Sequence, residues 1–167
     1  RVAAARGHQV TLCEASGELG GQFRLAGLQP RRAQILDLMN WYAGQLQKLG
    51  VDLRFYSPLD AEDVRDFDVD MVVLATGSQP AASGYQKAIP QWDELPGVGS
   101  GNVWSVEEVM SRSARLGKRV VLLDEGGNWR GCGTALYMTE QGITPATGGQ
   151  LTIVTPDAVI GKELGRT

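Results

Sequence analysis

Three short stretches in the first half of the chain carry residue types that could bind a nucleotide. Glu14 ends the apolar run HQVTLCE (residues 8–14), where a carboxylate can accept hydrogen bonds from the hydroxyls of a ribose. Paired glycines follow in LGGQF (residues 19–23). A second apolar run, VVLATG, ends in Thr76 and Gly77. Open α/β sheets bind ligands at the carboxyl ends of their strands, so we interpret the three stretches as one site.

Each stretch suggests a particular contact. The Glu14 carboxylate suits a ribose diol and repels a ribose phosphate, which favours an unphosphorylated adenosine. Gly20 and Gly21 permit positive φ angles and let backbone amides face a ligand, and Gln22 adds a side-chain donor. Taken singly, the three stretches also suit a solvated acid at a strand end, a plain turn, and a β-turn without a ligand.

The remaining reactive side chains do not form a catalytic or metal-binding set. His8 is the only histidine, and no serine, cysteine or carboxylate is spaced to act with it as a nucleophile and base. Cys13 and Cys132 are far apart, and neither belongs to a C-x-x-C pair. We therefore expect no catalytic residue, no metal ligand, and a reduced, cytoplasmic setting.

The elements that would position these residues alternate along the chain. Apolar residues at helical spacing predict a helix over 31–49, and Ser105 with Glu108 forms a capping-box pattern at the start of a helix over 105–117. A further helix is predicted over 130–142. Strands are predicted at 8–14, 51–57, 70–77, 118–125 and 149–156, and the strand over 118–125 is predicted to be buried. This order predicts an α/β fold with parallel, Rossmann-like sheets, in which 70–77 is a central strand covered on both faces.

Composition narrows the class of partner. The chain has 167 residues and a net charge of -3, and its 16 Lys and Arg are scattered, so we expect no nucleic-acid partner. No apolar run reaches the ~20 residues that cross a bilayer, so we expect no membrane span.

The order of the motifs resembles a known family. The segments G-H-x-V-T-L-C-E-A, L-G-G-Q-F and V-V-L-A-T-G-S-Q-P resemble the pattern of flavoproteins with two dinucleotide-binding domains. More narrowly, the chain resembles the C-terminal half of the NADH:flavin oxidoreductases related to old yellow enzyme, a group that includes trimethylamine dehydrogenase and 2,4-dienoyl-CoA reductase. The segments GKRVVLLDEGGNWRGCGTALYMTEQG and LTIVTP resemble the second domain of that group, so the resemblance covers essentially the whole chain.

The resemblance implies cofactors and a set of contacts. In such proteins an N-terminal barrel carries FMN and a 4Fe-4S cluster, and the C-terminal half carries FAD or only ADP. By that resemblance the ribose, the adenine, the pyrophosphate and the flavin or phosphate edge would be contacted by Glu14, Ala15, Gly20, Gly21, Gln22, Arg24, Ser57, Pro58, Leu59, Ala75, Thr76 and Gly77.

The pattern departs from the family at two places. The phosphate-binding G-x-G-x-x-G turn and its strand should precede the helix that ends at Arg6, so we expect a lobe truncated at its first strand. In the second lobe the same motif falls on GGNWRG (residues 126–131), where Asn128 replaces the second glycine. Asp124 and Glu125 add negative charge just before this turn, which opposes a phosphate, and Trp129 is bulky there. We therefore interpret the second turn as a degenerate NAD(P)H site.

These observations divide the chain into three parts. Residues 1–80 are predicted to be a partial FAD- or ADP-binding lobe, 81–117 a connecting segment, and 118–167 the start of the degenerate NAD(P)-binding-like lobe. The favoured interpretation is a fragment of a flavin-dependent oxidoreductase that is inactive alone and partners the barrel of its own polypeptide. A scaffold lobe with vestigial sites and a working NAD(P)H-binding module are the alternatives. Strand edges left unpaired would favour a homodimer or a swapped element.

Overall fold

The computed structural model describes residues 1–165, which form two compact units. The first unit comprises Arg1–Gly27 and Arg32–Ser78. The second comprises Leu28–Arg31 and the described residues from Gln79 onward. Each unit contains a two-stranded parallel sheet with helices, so the chain is a mixed α/β protein, as the sequence predicted.

The first unit is built on the pairing of its two strands. Thr11 lies opposite Asp52, and Cys13 lies opposite Arg54. The elements, in chain order, are α1 (Val2–Ala5), β1 (Thr11–Cys13), α2 (Gly21–Gly27), α3 (Gln34–Lys48), β2 (Asp52–Arg54) and α4 (Ala61–Asp66).

Helix α3 follows from the apolar spacing of its sequence and provides most of the core of this unit. Its residues Ile35 and Leu46 are buried, as is Val51 at the start of β2. The helix is followed by Gly50, whose φ of 67° places it in the left-handed region that commonly ends a helix. A Cβ on Gly27 would lie 2.8 Å from the Leu36 side chain, so the absence of a side chain there lets α2 pack closely on α3.

The predicted central strand over 70–77 is not formed. This segment is in no sheet, and no backbone hydrogen bond joins it to any other of the residues 1–165. Met71, Val73 and Leu74 are 79%, 78% and 81% exposed. An apolar run becomes a central strand only when strands lie on both sides of it, and within the described chain β1 pairs with β2 alone.

The second unit contains α5 (Val106–Met110), β3 (Arg119–Leu123), α6 (Trp129–Glu140) and β4 (Gln150–Val154). Strands β3 and β4 pair in parallel from Arg119–Gln150 to Leu123–Val154. Helix α6 packs against α5 and both strands, and the core consists of Val109, Met110, Ala135, Tyr137 and Met138. Single 3₁₀ turns lie at Val98–Ser100 and Pro145–Thr147.

Two elements of this unit differ from their predictions. Helix α5 ends at Met110 rather than Gly117, because the amide and the hydroxyl of Ser113 both donate to the Glu108 carbonyl, at 3.0 and 3.2 Å, and Arg112 takes a φ of 63°. These local bonds replace the regular pattern of the helix. The β3 strand was predicted to be buried but has one exposed face, with Val121 62% exposed, because its sheet has only two strands.

Across residues 1–165, no helix has both the length and the apolar character needed to cross a membrane.

Candidate functional site

The loops that leave β1 and β2 are joined by backbone hydrogen bonds at the carboxyl edge of the sheet. The Glu14 amide donates to the Arg54 carbonyl at 2.9 Å, and the Ser57 amide donates to the Glu14 carbonyl at 3.0 Å. The Tyr56 amide donates to the Ser16 carbonyl at 3.1 Å. Two of the predicted site residues, Glu14 and Ser57, are therefore held side by side at the edge where α/β sheets bind ligands.

The Glu14 side chain is oriented by its neighbour Ser16. Its Oε1 atom accepts a hydrogen bond from the Ser16 amide at 2.8 Å and another from the Ser16 hydroxyl at 2.9 Å. No group of residues 1–165 donates to Oε2. One carboxylate oxygen is thus fixed, and the other is left as an acceptor for a ligand hydroxyl.

The glycine loop and the end of the 70–77 segment lie next to each other. Gly20 and Gly21 have φ angles of 112° and 46°, and Gly77 has a φ of 73°. The Gln22 side-chain amide donates to the Ser78 carbonyl, so this donor holds the loop against the segment. No residue within 1–165 accepts a backbone hydrogen bond from the amides of Gly20, Gly21 or Gly77. These amides are available to an anionic ligand.

The other predicted residues are less closely tied to this edge. Arg24, in α2, forms an ion pair with Glu18, which precedes this helix, so the charge of Arg24 is already matched by a nearby carboxylate. Ala15, Pro58 and Leu59 are exposed beside Glu14 and Ser57 in the chain. Ala75 and Thr76 are exposed in the unpaired segment, and no backbone hydrogen bond joins them to Glu14.

Two residues of the edge were not predicted from the sequence. Ser16 orients Glu14, and a serine two residues after an acid was a usable signal, because serine hydroxyls commonly bond to nearby groups in turns. Tyr56 adopts a φ of 53°, and a Cβ on Gly17 would lie 2.2 Å from its hydroxyl oxygen. The Tyr56 ring therefore lies across Gly17, an arrangement that no spacing in the sequence indicates.

A shallow depression lies at the opposite, amino-terminal edge of the same strands, lined by residues 8–11 and 49–52 and by Ala4. It contains the single histidine, His8, which is exposed. No cluster of three or more metal-ligating side chains occurs among residues 1–165.

The second glycine turn follows β3. Asp124 is 5% exposed, and its Oδ1 atom accepts hydrogen bonds from the amides of Gly126 and Gly127, both at 3.1 Å. Asn128, which replaces the second glycine of the motif, is the N-cap of α6 and accepts a hydrogen bond from the Arg130 amide at 2.9 Å. The Glu125 carboxylate accepts hydrogen bonds from the amides of Lys87 and Ala88.

Cys132, in the first turn of α6, is a half-buried free thiol. Burial, together with the negative charge of Asp124, raises the pKa of this thiol. A raised pKa lowers the share of the nucleophilic thiolate form at neutral pH.

Known proteins similar to this chain are oxidoreductases. The chain is 37% identical over all of its 167 residues to the N,N-dimethylglycine/sarcosine dehydrogenase of Chromohalobacter salexigens, of which it covers 23%. Over 142 residues, or 85% of the chain, it is 35% identical to the cinnamate reductase of Clostridium sporogenes, of which it covers 19%. No protein-family model matches the chain.

A solved structure shares the fold. The 2-naphthoyl-CoA reductase in complex with 2-naphthoyl-CoA matches 98% of this chain with a TM-score of 0.81 and 27% identity, and the match covers 22% of that protein. The chain thus spans about a fifth of the length of the relatives it matches. Since the similarity to these enzymes extends over its whole length, the chain belongs to the NADH:flavin oxidoreductase and trimethylamine dehydrogenase family and corresponds to a short part of each relative.

Proposed function

We propose that this chain is the nucleotide-binding segment of a longer flavin-dependent oxidoreductase, in which the first unit holds FAD or ADP. The observation that carries the proposal is the Glu14 carboxylate at the carboxyl edge of β1, with Oε1 held by Ser16 and Oε2 left as an acceptor. A ribose diol supplies the hydroxyl donors that such an oxygen lacks.

Other residues of the first unit suit the remaining parts of an ADP group. The unbonded amides of Gly20, Gly21 and Gly77 suit a pyrophosphate, because they present donors without a side chain in front of them. Tyr56, 79% exposed, offers an aromatic face beside Ser57, where the adenine would lie. FAD, if it is the nucleotide bound, would add a redox-active flavin, whereas ADP would serve only to hold the segment.

The proposal also includes a protein partner for this chain, which is the remainder of its own polypeptide. That remainder would be a barrel with FMN and a 4Fe-4S cluster, where the substrate reacts. The exposed apolar segment 70–77 supports this, since its free backbone groups can pair with a further strand and complete a Rossmann-like sheet. A second copy of the chain can use the same edge, so a homodimer is the competing assembly. Cys13 and Cys132 are free thiols, which suits a reducing, cytoplasmic compartment.

The experiment is to purify the whole polypeptide that contains this chain, denature it, and identify the released nucleotides by mass spectrometry. We expect FAD or ADP from the wild type. Glu14→Gln should weaken retention of that nucleotide about 10- to 100-fold, because a hydrogen bond to a charged group contributes about 1.5–3 kcal/mol.

Glu62→Gln is the matched control, since it removes one carboxylate charge from an exposed site on α4 in the same unit. It should leave the nucleotide content unchanged. If the wild type releases neither FAD nor ADP, or if Glu14→Gln retains it as tightly as the control, the proposed site is wrong.

A scaffold role without a bound nucleotide is the second candidate. It is favoured by Asp124, whose carboxylate bonds the glycine amides of the second unit. If the whole polypeptide folds and retains FMN but releases neither FAD nor ADP, the scaffold role is supported.

A further inference from the structure

The second unit contains a glycine turn arranged like a phosphate-binding site, but its backbone amides already donate hydrogen bonds to a side chain of the protein. The amides of Gly126 and Gly127 follow β3 and precede α6, which has 12 residues. In a dinucleotide-binding turn such amides and the helix N-terminus bind pyrophosphate. Here both amides donate to Oδ1 of Asp124, at 3.1 Å each.

The Asp124 carboxylate also fills the space in front of the helix. A Cβ on Gly131 would lie 2.5 Å from the Asp124 Cγ and Oδ1 atoms and 2.7 Å from Oδ2. The third glycine of the motif is therefore required by this carboxylate. Asp124 is 5% exposed, and its Oδ2 atom is buried without a hydrogen-bond partner.

The outer side of the turn is closed by the chain that follows β4. The Glu163 amide donates to the Gly127 carbonyl at 2.8 Å, and a Cβ on Gly127 would lie 3.2 Å from the Asp157 carboxylate. A phosphate entering from this side would meet the Asp157 carboxylate, whose Oδ1 atom already pairs with the Lys162 ammonium at 2.9 Å.

We propose that Asp124 is the resident anion of this turn: its carboxylate occupies the position that a cofactor phosphate would take, so the second unit binds neither NADH nor NADPH. The inference rests on the proposed function for the identity of the turn. It extends that proposal to the second unit, where the donors and the space for a phosphate are both taken by a group of the chain itself.

Charge explains why an incompletely bonded carboxylate is tolerated there. The N-terminal end of a helix carries partial positive charge, and Asp124 lies against the first turn of α6. A phosphate would have to displace a buried carboxylate from two hydrogen bonds and then lie beside it, which two negative charges resist at low dielectric. The turn is consequently stable without any ligand.

The test uses the whole polypeptide and hydrogen exchange of the peptide that spans residues 124–131, which locates binding at this turn even if NADH also binds elsewhere. In the wild type the turn should be protected without ligand, and addition of NADH, NADPH or inorganic pyrophosphate should leave its exchange unchanged. Protection of the turn by NADH or NADPH in the wild type would overturn the proposal.

Two variants that remove the Asp124 carboxylate test whether this group is what excludes a phosphate. Asp124→Ala opens the space, and Asp124→Asn keeps the shape but removes the charge, so the second remains informative if the first does not fold. Asp124→Ala should gain protection of the turn by pyrophosphate, with an affinity at least about tenfold above that of the wild type. Asp124→Asn should show a smaller gain, because its side chain still fills the space but no longer repels the anion. Glu140→Gln, which removes an exposed carboxylate from the far end of α6, should gain nothing.

If both folded Asp124 variants remain indifferent to pyrophosphate, the carboxylate is not what excludes it and the proposal fails. Failure of the proposed function is seen separately, as the absence of FAD and ADP among the released nucleotides. That result does not depend on exchange at residues 124–131.

Discussion

Three acidic side chains in this protein obtain their hydrogen bonds from residues close to them in the chain. Glu14 is bonded by Ser16, Asp60 by the amides of Glu62 and Asp63, and Glu108 by Ser105. Only the last of these was predicted, because the capping box has a fixed spacing of three residues. The bond between Glu14 and Ser16 lies in a loop, and the sequence analysis did not predict it.

The Ser105–Glu108 capping box predicts a pH dependence. The backbone amide and hydroxyl of Ser105 donate to the Glu108 carboxylate, at 2.7 and 2.9 Å, and lower its pKa. A carboxyl whose pKa is lower in the folded state stabilises the fold above its ordinary pKa, and this contribution is lost as the pH falls through the folded-state value. Ser105→Ala should therefore destabilise α5 more at neutral pH than in acid.

The measurement is an NMR titration of the Glu108 carboxyl together with hydrogen exchange of α5. In the wild type the carboxyl should titrate below the ordinary range for glutamate, and in Ser105→Ala it should return toward that range. Ser100→Ala is a control in the same unit, since Ser100 bonds to the Gly97 carbonyl rather than to Glu108. An unchanged Glu108 titration in Ser105→Ala would contradict the prediction.

At the scale of elements, the sequence predicted helix α3 better than the strand over 70–77. The apolar spacing of α3 placed it within a few residues, because a helix forms its backbone hydrogen bonds within itself. The 70–77 run also has a clear apolar pattern, but a strand needs neighbours, and none pairs with it within residues 1–165. Helix α5 was overestimated because Ser111 and Ser113 offer local bonds that compete with the helix.

Two helical glycines should respond in opposite ways to alanine. In α6, a Cβ on Gly133 would lie 2.4 Å from the Gln29 Oε1 atom. Gln29 is 5% exposed and donates to the carbonyl of Trp129 at 3.1 Å, so Gly133→Ala should displace this side chain and lower the stability of α6 by about 1 kcal/mol. In α3, a Cβ on Gly44 would have nothing within 4 Å.

Gly44→Ala is consequently the matched substitution, and it should raise the stability of α3 by roughly 0.5–1 kcal/mol through backbone entropy alone. Native-state hydrogen exchange measures both helices separately, which is appropriate for a chain with two units. If both substitutions stabilise their helices, the Gln29 side chain is not fixed against Gly133 as described.

At the scale of the whole molecule, much apolar surface is left uncovered. Besides the 70–77 segment, Val121 and Leu123 on β3 and Val154 on β4 are 62%, 43% and 47% exposed. An apolar strand is buried only where other strands or helices lie on its faces, and each sheet described in residues 1–165 has two strands. The apolar pattern of these segments therefore did not predict how exposed they are.

The 167-residue chain, prepared alone, should associate with itself through residues 70–77. The segment combines exposed apolar side chains with free backbone donors and acceptors, which favours pairing between chains. Val73→Lys should shift the population toward monomer in sedimentation velocity, because a charge within the segment opposes such pairing.

Val159→Lys is the corresponding control, since Val159 is also well exposed, at 61%, but lies outside the segment. It should leave the association unchanged. A wild-type chain that remains monomeric at high concentration would contradict the prediction, and an equal effect of both lysines would indicate general apolar aggregation.

Part of the candidate site could be predicted from the sequence because it depends on sheet topology, and part could not because it depends on loop conformation. Glu14 and Ser57 lie side by side because they follow neighbouring parallel strands, and that adjacency is set by topology. Tyr56 and the ion pair of Arg24 with Glu18 depend on loop conformations, which side-chain spacing does not encode.

The segment Leu28–Arg31 belongs to the second unit although the residues on both sides of it belong to the first. Its buried Gln29 supplies hydrogen bonds to the carbonyls of Trp129 and Arg130 at the start of α6. The gene therefore cannot be divided after the codon for Ser78 into two self-sufficient halves. If recombination between relatives exchanged only the residues after Ser78, the new α6 would meet a Gln29 segment from a different protein. A successful exchange would therefore also have to include Leu28–Arg31, whose Gln29 side chain packs against Gly133.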